Sequence, residues 1–255
     1  NGFFRYAGKL ESLPCLVEDF VFDSINLTSG NQMVSAGLNN LFGEVIWFYP
    51  ETGSSVVNRM VAYNYFDSLP QRPVWTVGSL ARTMWRDSAV FGLPHALEYD
   101  ADTDTSFDVV GNTEGRTSYY EHETGTDQNR NGTITAIAAN ILSGDFDITQ
   151  RIVGNQMTGI ADFKGDGEHI MKIRRFVPDF ISQTGNTVVT LNLRNFPNDT
   201  ASSSSLGPFT ITSSTSKVDT RARARAIALK VENTGSSQSW KLGTFRLDTQ
   251  PDGRR

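Results

Sequence analysis

Alternating hydrophobic and polar positions dominate the chain and predict β-strands. Val45, Trp47 and Tyr49 point to one side of an extended segment, and Ile46 and Phe48 point to the other. Both faces of this segment are therefore apolar. A strand of this kind must be covered on both sides, as in a sandwich core or between propeller blades.

Further strands follow at even spacing, with Gly or Pro between them, which is typical of a propeller or a sandwich. They are centred on Val61, Tyr63 and Tyr65, on Trp75 and Val77, on residues 80–85, and on Tyr119 and Tyr120. Residues 100–115 are polar and predict a loop. Residues 124–132 predict a long polar turn, which we interpret as a boundary between a domain of residues 1–128 and a domain of residues 129–255.

The second half has the pattern of antiparallel strands with one wet face, as in Val189, Leu191 and Leu193. Residues 198–207 include four consecutive Ser and predict a flexible loop. A last hairpin is predicted from residues 220–233 and 239–248. In its return strand a β-bulge at Gly243 would keep four apolar side chains on the core side. These are Trp240, Leu242, Phe245 and Leu247.

One segment after Pro14 has helical spacing and predicts a short helix near residues 14–26. Glu18 and Asp19 would lie in its favourable first turn. Its apolar stripe would consist of Leu16, Val17, Phe20, Val21 and Ile25. The fold class predicted is therefore all-β, with propeller-like blades in residues 1–128, an antiparallel β-sandwich-like domain in residues 129–255, and one short helix near the N-terminus.

Composition and charge exclude several classes of function. The 255 residues are 38% hydrophobic and 20% charged, as in a globular protein, and the net charge is −5. This sign argues against a stable nucleic-acid binder, although it permits a wall past which DNA slides.

No apolar run approaches the ~20 residues that cross a bilayer, so no membrane anchor is expected. Cys15 is the single cysteine and cannot form an intramolecular disulfide. The start at Asn1, without Met, suggests the inside of a longer polypeptide.

The histidines do not predict a metal centre. His122 lies between two glutamates, but Thr126 stands where the helical zinc motif needs a second His. His95 and His169 have no ligand spacing to His122. We expect a structural role for His122.

Two acidic stretches are similar to calcium loops but lack required ligands. Residues 127–132 match the opening of an EF-hand, yet Ala138 occupies position twelve, where a bidentate Glu is needed. Asp100, Asp102 and Asp104 alternate similarly, but Thr105 replaces the needed Gly. Asx-rich turns use the same residues to bond their own backbone, which is the interpretation we favour.

No other motif predicts catalysis or a cofactor. There is no GxSxG elbow, and Cys15 has no nearby His, so a small buried hydrophobe is the better interpretation. Gly8-Lys9 lacks the earlier Gly of a phosphate-binding loop. Glu98, Asp100 and Glu121 could meet in space as paired carboxylates, but nothing in the pattern selects them. We therefore predict a protein that is not an enzyme.

One charge pattern predicts a possible subunit interface. Arg221, Arg223 and Arg225 alternate with alanines, so one strand would hold three guanidinium groups on one face. They would suit an edge strand whose charges stay in water and deter edge pairing. Alternatively, they would pair with an acidic neighbouring chain.

Several motifs resemble the tail tubular protein B, or tail nozzle, family of short-tailed bacteriophages, in its C-terminal part. They are spread in order over nearly the whole chain: residues 42–50 (FGEVIWFYP), 61–65 (VAYNY), 80–87 (LARTMWRD), 120–127 (YEHETGTD), 174–180 (RRFVPDF), 240–243 (WKLG), 245–248 (FRLD) and 251–255 (PDGRR). None of them carries a reaction. Residues 100–118 and 151–165 are longer than the family pattern, and the resemblance implies a further N-terminal part that would supply the remaining propeller strands.

The resemblance implies a structural virion protein located in the tail. Its copies would form a sixfold ring below the tail adaptor protein, around a channel for genome ejection. DNA would pass transiently without specific binding, and tail fibres or spikes would attach nearby.

Two other functions remain open. The first is a tail-associated module that binds or depolymerises host-surface carbohydrate; exposed aromatic residues in a groove beside paired carboxylates would favour it. The second is a secreted β-propeller lectin.

Overall fold

The chain forms two compact units. The structure, a computed structural model, describes residues 2–28, 33–70, 72–88, 92–100, 116–130, 132–149, 151–154, 161–164, 167–196 and 204–253. Unit 1 comprises Asn1–Thr124 and Gly154–Ala161, and unit 2 comprises Gly125–Val153 and Asp162–Arg255. The main division lies a few residues before the predicted boundary at residues 128 and 129.

The all-β prediction is confirmed, because strands account for 58% of the described residues. The elements of the first part are β1 Phe3–Tyr6, β2 Leu10–Leu13, α1 Glu18–Ser24, β3 Ser35–Asn39, β4 Glu44–Tyr49, β5 Arg59–Leu69, β6 Arg72–Gly78, β7 Met84–Arg86, β8 His95–Asp100 and β9 Arg116–Glu121. Those that follow are β10 Asp127–Arg130, β11 Thr133–Ala136, β12 Ala139–Leu142, β13 Arg151–Gly154, β14 Ala161–Lys164, β15 Met171–Val177, β16 Phe180–Thr184, β17 Thr187–Arg194, β18 Ser205–Ile211, β19 Val218–Ala224, β20 Ala226–Asn233, β21 Ser239–Leu242 and β22 Arg246–Pro251.

Unit 1 contains two meanders, with strand orders β3-β4-β5-β6 and β7-β8-β9, and the hairpin β1-β2. Unit 2 contains sheets of order β12-β20-β17-β18 and β19-β15-β22, together with the pairs β10-β11 and β16-β21. A further two-stranded sheet joins β13 and β14. No closed propeller is present among the described residues.

Strand β4 has two apolar faces and both are covered, as its pattern predicts. On one face Ile46 and Phe48 pack with Ala62 of β5 and against Trp85. On the other face Tyr49 packs with other buried and half-buried side chains. These are Val61, Val21 of α1, and the half-buried Phe3, Val17, Ile25, Trp47 and Trp75.

The predicted helix exists, but it is shorter than residues 14–26. Of its predicted apolar stripe, Val21 is 2% exposed, whereas Leu16 and Phe20 are 62% and 52% exposed. The helix ends because Ile25 is extended (φ −66°, ψ 133°) and forms a bridge with Glu51. Its outer side therefore carries apolar residues that the pattern assigned to the core.

The core of unit 2 lies between two antiparallel sheets. It is formed by Met171, Ile173 and Phe176 of β15, Ala222 and Ala224 of β19, Val189 and Leu191 of β17, Ile211 of β18, and Ile227 and Val231 of β20. Two sheets thus share one hydrophobic core, as in a β-sandwich.

The predicted final hairpin is wrong. The chain leaves one sheet after β19 and enters the other sheet at β20, with Arg225 between them. Burial explains the crossing, because Ala222 and Ala224 are buried at even positions but Ile227 and Val231 at odd positions. A single strand would place Arg221 and Arg223 on the same side as Ile227 and Val231, inside the core.

The predicted bulge at Gly243 is also wrong. Strand β21 ends at Leu242 and pairs with β16, whereas β22 begins at Arg246 and pairs with β15. Gly243 lies at this corner and donates its N–H to the carbonyl of Asp179 at 2.7 Å. Trp240, Phe245 and Leu247 still pack against the same core.

Several predicted loops contain strands. The turn predicted at residues 124–132 includes β10, which pairs with β11. In the longer segment at residues 151–165, β13 and β14 are present. Ser205 to Gly207, predicted as loop, belong to β18. Residues 101–115 and 197–203 lie outside the described part of the chain.

Candidate functional site

The arginine stripe lies on the outer side of a sheet edge. Strand β19 is at one edge of the three-stranded sheet, and its alternation places Arg221 and Arg223 in solvent while Ala222 and Ala224 are buried. This is the edge position that one interpretation of the stripe requires.

Arg225 does not share that surface. Its backbone N–H donates to the carbonyl of Arg194. Its Nη1 donates to the carbonyl oxygens of Gly167 and Glu168, at 2.9 and 2.7 Å. The Arg225 guanidinium therefore fastens a segment of unit 2 at the point where the chain changes sheets.

Neighbouring strands extend the positive charge of Arg221 and Arg223. In register, Lys172 is opposite Arg223, and Arg175 lies between Asp219 and Asp248. We define the basic face as the outward charged side chains of this sheet: Lys172, Arg174, Arg175, Asp219, Arg221, Arg223, Arg246 and Asp248. It carries six cations and two carboxylates, with the carboxylate of Asp252 beside it.

The carboxylates neutralise only part of the basic face. Arg223 Nε lies 2.5 Å from Asp252 Oδ2, and Arg175 Nε lies 3.5 and 3.6 Å from Asp219 and Asp248. The other cations of the face make no ion pair within the described ranges. They are Lys172, Arg174, Arg221 and Arg246. The surface is therefore positive, although the whole chain has a net charge of −5.

A buried arginine organises the sheet of β7, β8 and β9. Arg82 is 5% exposed, and its Nη1 donates to Glu98 Oε2 at 2.8 Å. Its Nε donates to His122 Nε2, also at 2.8 Å. The guanidinium carbon lies 4.2 Å from the ring centroid of Tyr120, within cation–π range. We call these four residues the Arg82 network.

His122 is held as a neutral acceptor in this network. Burial, and then the adjacent Arg82 charge and His95, lower the pKa of His122 to about 4. The Trp85 ring lies 4.7 Å from the imidazole. Because the pKa in the folded state is below the unfolded value near 6.5, the contribution of His122 to stability is complete above pH 6.5. It is lost as the pH falls toward 4.

The Arg82 network contains residues of two sites weighed from the sequence: His122 of the metal site and Glu98 of the paired carboxylates. His122 has a structural partner in Arg82, and its Nε2 lone pair is occupied. A group of three or more His, Cys, Asp or Glu side chains able to hold a metal is not found in the part of the chain that the structure describes.

The candidate carboxylates Glu98 and Glu121 do not converge. Glu98 is opposite Ser118 and Glu121 is opposite His95, so Glu98 and Glu121 lie on opposite faces of the sheet. Glu98 is also engaged by Arg82. Asp100 ends β8 at the point where the described residues stop.

The EF-hand-like segment is a hairpin whose polar side chains accept hydrogen bonds from backbone N–H groups. Both carboxylate oxygens of Asp127 accept the N–H of Ser237, at 2.9 Å each. Asn129 Oδ1 accepts the N–H of Gly132 at 2.9 Å. The Asn129–Gly132 contact is local, as in an Asx-rich turn, whereas Asp127 binds a residue 110 positions away. Asp102 and Asp104 of the other acidic stretch lie outside the described residues.

Two remaining candidates have ordinary surroundings. Gly8 and Lys9 form the turn of the β1-β2 hairpin, where Lys9 Nζ pairs with Glu11 at 3.0 Å. Cys15 is only partly buried, and burial raises the pKa of its thiol to about 11. It is therefore a thiol at neutral pH, which is a poor nucleophile.

Sequence reasoning missed Arg82 and two acidic groups near it. Asn39 is 1% exposed and donates to Glu123 Oε1 at 3.0 Å. Burial raises the pKa of Glu44 and of Glu123. The available signal was a single arginine within the mostly apolar residues 80–85. Its partners are 16 and 40 residues away, so only the strand pairing reveals them.

No helix within the described ranges is long and apolar enough to cross a membrane. No model of a known protein family matches this sequence, and no curated protein shows significant sequence similarity to it. The resemblance to the tail nozzle family therefore depends on the motifs quoted above.

Proposed function

We propose that this protein is a structural subunit of a short phage tail, and that its copies assemble into a ring around a channel for genome ejection. The motifs that resemble the tail nozzle family support this proposal. They include the buried strand β4 and three members of the Arg82 network, Arg82, Tyr120 and His122, so they contain residues that build the fold. The four-stranded meander β3-β4-β5-β6 is consistent with one propeller blade, and we propose that it serves as one.

The observation that carries the proposal is an uncovered apolar surface on the β1-β2 hairpin. Pairing of Tyr6 with Leu10 and of Phe4 with Ser12 places these four side chains on one face. Phe4, Tyr6 and Leu10 are 57%, 77% and 69% exposed. On the other face, Phe3 lies 5.1 Å from Trp47, measured between ring centroids.

An isolated two-stranded hairpin is only marginally stable. The contact of Phe3 with Trp47 anchors this hairpin, and its opposite face, which carries no charge, is exposed to solvent. Contiguous exposed apolar surface of this kind marks contact with another protein chain. This fits a subunit of an assembly.

The carbohydrate alternative needs paired carboxylates, and Glu98 and Glu121 do not form such a pair. Glu98 and Glu121 lie on opposite faces of their sheet, and Glu98 already forms an ion pair with Arg82. We therefore place the structural role first.

The experiment uses the full-length protein. Its mass is measured by light scattering at high concentration, and the particles are imaged by negative stain. Virions are probed with an antibody to the chain. We expect a closed ring and labelling of the tail. A protein that stays monomeric and is absent from virions would overturn the proposal.

A further inference from the structure

Charge is divided unequally between the two units. Unit 1 contains 7 Lys and Arg against 16 Asp and Glu, a net charge of −9. Unit 2 contains 16 against 12, a net charge of +4, and together these give the −5 of the chain. One chain therefore supplies surfaces of both signs, which is a condition for like copies to attract each other through different patches.

The positive surface of unit 2 is the basic face. Lys172, Arg174, Arg221 and Arg246 project from three adjacent strands without an ion pair in the described ranges. Strands in a sheet are about 4.8 Å apart, so these cations lie within a patch roughly 10 Å wide. Their charges are available to a partner.

The negative surface of unit 1 includes helix α1. Leu16, Asp19, Phe20 and Asp23 are all exposed and recur at the spacing of one helical face. We call these four residues the acidic ridge. No basic residue lies in the last turn of the helix, and the two aspartates have no ion pair among the residues described. Like charges four residues apart repel each other, which an opposite charge on a partner would relieve.

The mixture of signs on the basic face favours a protein partner over a nucleic acid. Asp219 and Asp248 stand among the cations and would repel a phosphate backbone. No aromatic side chain belongs to this face, so bases would have nothing to stack on. A protein surface can match both signs.

We infer that the basic face of one copy binds the acidic ridge of a second copy. The contact joins two different patches, so it is heterologous and propagates from copy to copy. Leu16 and Phe20 add apolar area that the contact covers. This inference rests on the proposed function for the identity of the partner as a second copy, and it names the surfaces that meet.

The first test reverses charge on the basic face of the full-length chain. Arg221→Glu with Arg246→Glu is compared with Arg72→Glu with Lys241→Glu, which changes the total charge equally at exposed cations outside the face. Self-association is measured by analytical ultracentrifugation at about 50 mM and about 500 mM salt, because exposed charge contacts are screened at the higher concentration. We expect the first variant to associate about 30-fold more weakly at low salt, and the control to stay within about threefold of wild type.

The second test is a charge exchange. Asp19→Lys with Asp23→Lys should also weaken self-association. An equal mixture of this variant with the reversed basic face should recover most of the wild-type affinity, since the altered surfaces are then complementary. Circular dichroism and melting curves check that each variant is folded.

The outcomes separate the two proposals. If wild type assembles and the reversed basic face assembles equally well, or the mixture associates no better than its components, the inference is wrong and the structural role stands. If wild type does not assemble, the structural role is wrong. The inference is then wrong as well, because no second copy binds the basic face.

Discussion

Removal of the Arg82 guanidinium should strongly destabilise unit 1. Arg82→Met keeps most of the apolar length but deletes the guanidinium that binds Glu98 and His122. The side chains of Arg82 and Glu98 are 6% and 15% exposed, so the stranded carboxylate has little access to water. Breaking a buried ion pair from one side costs about 3–5 kcal/mol. Because Glu98 keeps slight exposure, we expect about 3 kcal/mol, or about 10 °C in the melting temperature of this unit.

The assay is urea unfolding followed by tryptophan fluorescence, since Trp47, Trp75 and Trp85 lie in unit 1 and Trp240 in unit 2. Arg59→Met is the matched control. Arg59 bonds Glu51 at 2.7 Å, but both side chains are 32% exposed. A pair so open to solvent contributes about 1 kcal/mol or less.

A second variant tests the physical cause. Adding Glu98→Gln to Arg82→Met removes the stranded charge, so the double variant should recover more than half of the lost stability. The reasoning is refuted if Arg82→Met costs no more than Arg59→Met. It is also refuted if Glu98→Gln makes the Arg82→Met protein still less stable.

Three further predictions concern other parts of the chain. His122→Gln keeps an acceptor for Arg82 but cannot be protonated. Acidification from pH 7 to about 4 should therefore cost the variant roughly 2–3 kcal/mol less than wild type, measured by urea unfolding at each pH. Gly37→Ala would place Cβ 2.3 Å from the Trp85 ring, and a loss of about 2 kcal/mol is expected in thermal melting. Addition of EDTA should leave the melting temperature unchanged; a drop that calcium reverses would show that one of the two acidic stretches, residues 100–104 or 127–132, is a metal site.

Local alternation was enough to predict the strands whose faces are decided by burial. In β4 every side chain is apolar except the first, and the covering of both faces follows from that pattern alone. Helix α1 was predicted by the same logic. Its length was not, because bonds from distant residues end it: Asn26 N–H donates to the Pro50 carbonyl, and Ile25 bridges to Glu51.

Features that depend on pairing between distant strands could not be predicted. The change of sheet at Arg225 follows from which side chains fill a shared core, and residues 218–233 alone are equally compatible with one long strand. The Arg82 network is a similar case. The alignment of β8 with β9 places Glu98 and Tyr120 on one face, and neither is marked in the sequence as a partner of an arginine.

Comparison of Arg82 with the arginines of the basic face shows which arginines can still bind another molecule. Inside unit 1, Arg82 is engaged by a carboxylate, an imidazole and an aromatic ring. His122 Nε2 accepts a hydrogen bond from Arg82 Nε, so a proton transfer at that nitrogen would have to break a bond of the Arg82 network. On the basic face the balance is reversed, because Arg221 and Arg246 are exposed and make no ion pair within the described residues, although Asp219 and Asp248 lie on the same face. Unused binding capacity therefore lies on outward strands, which is where a subunit of an assembly needs it.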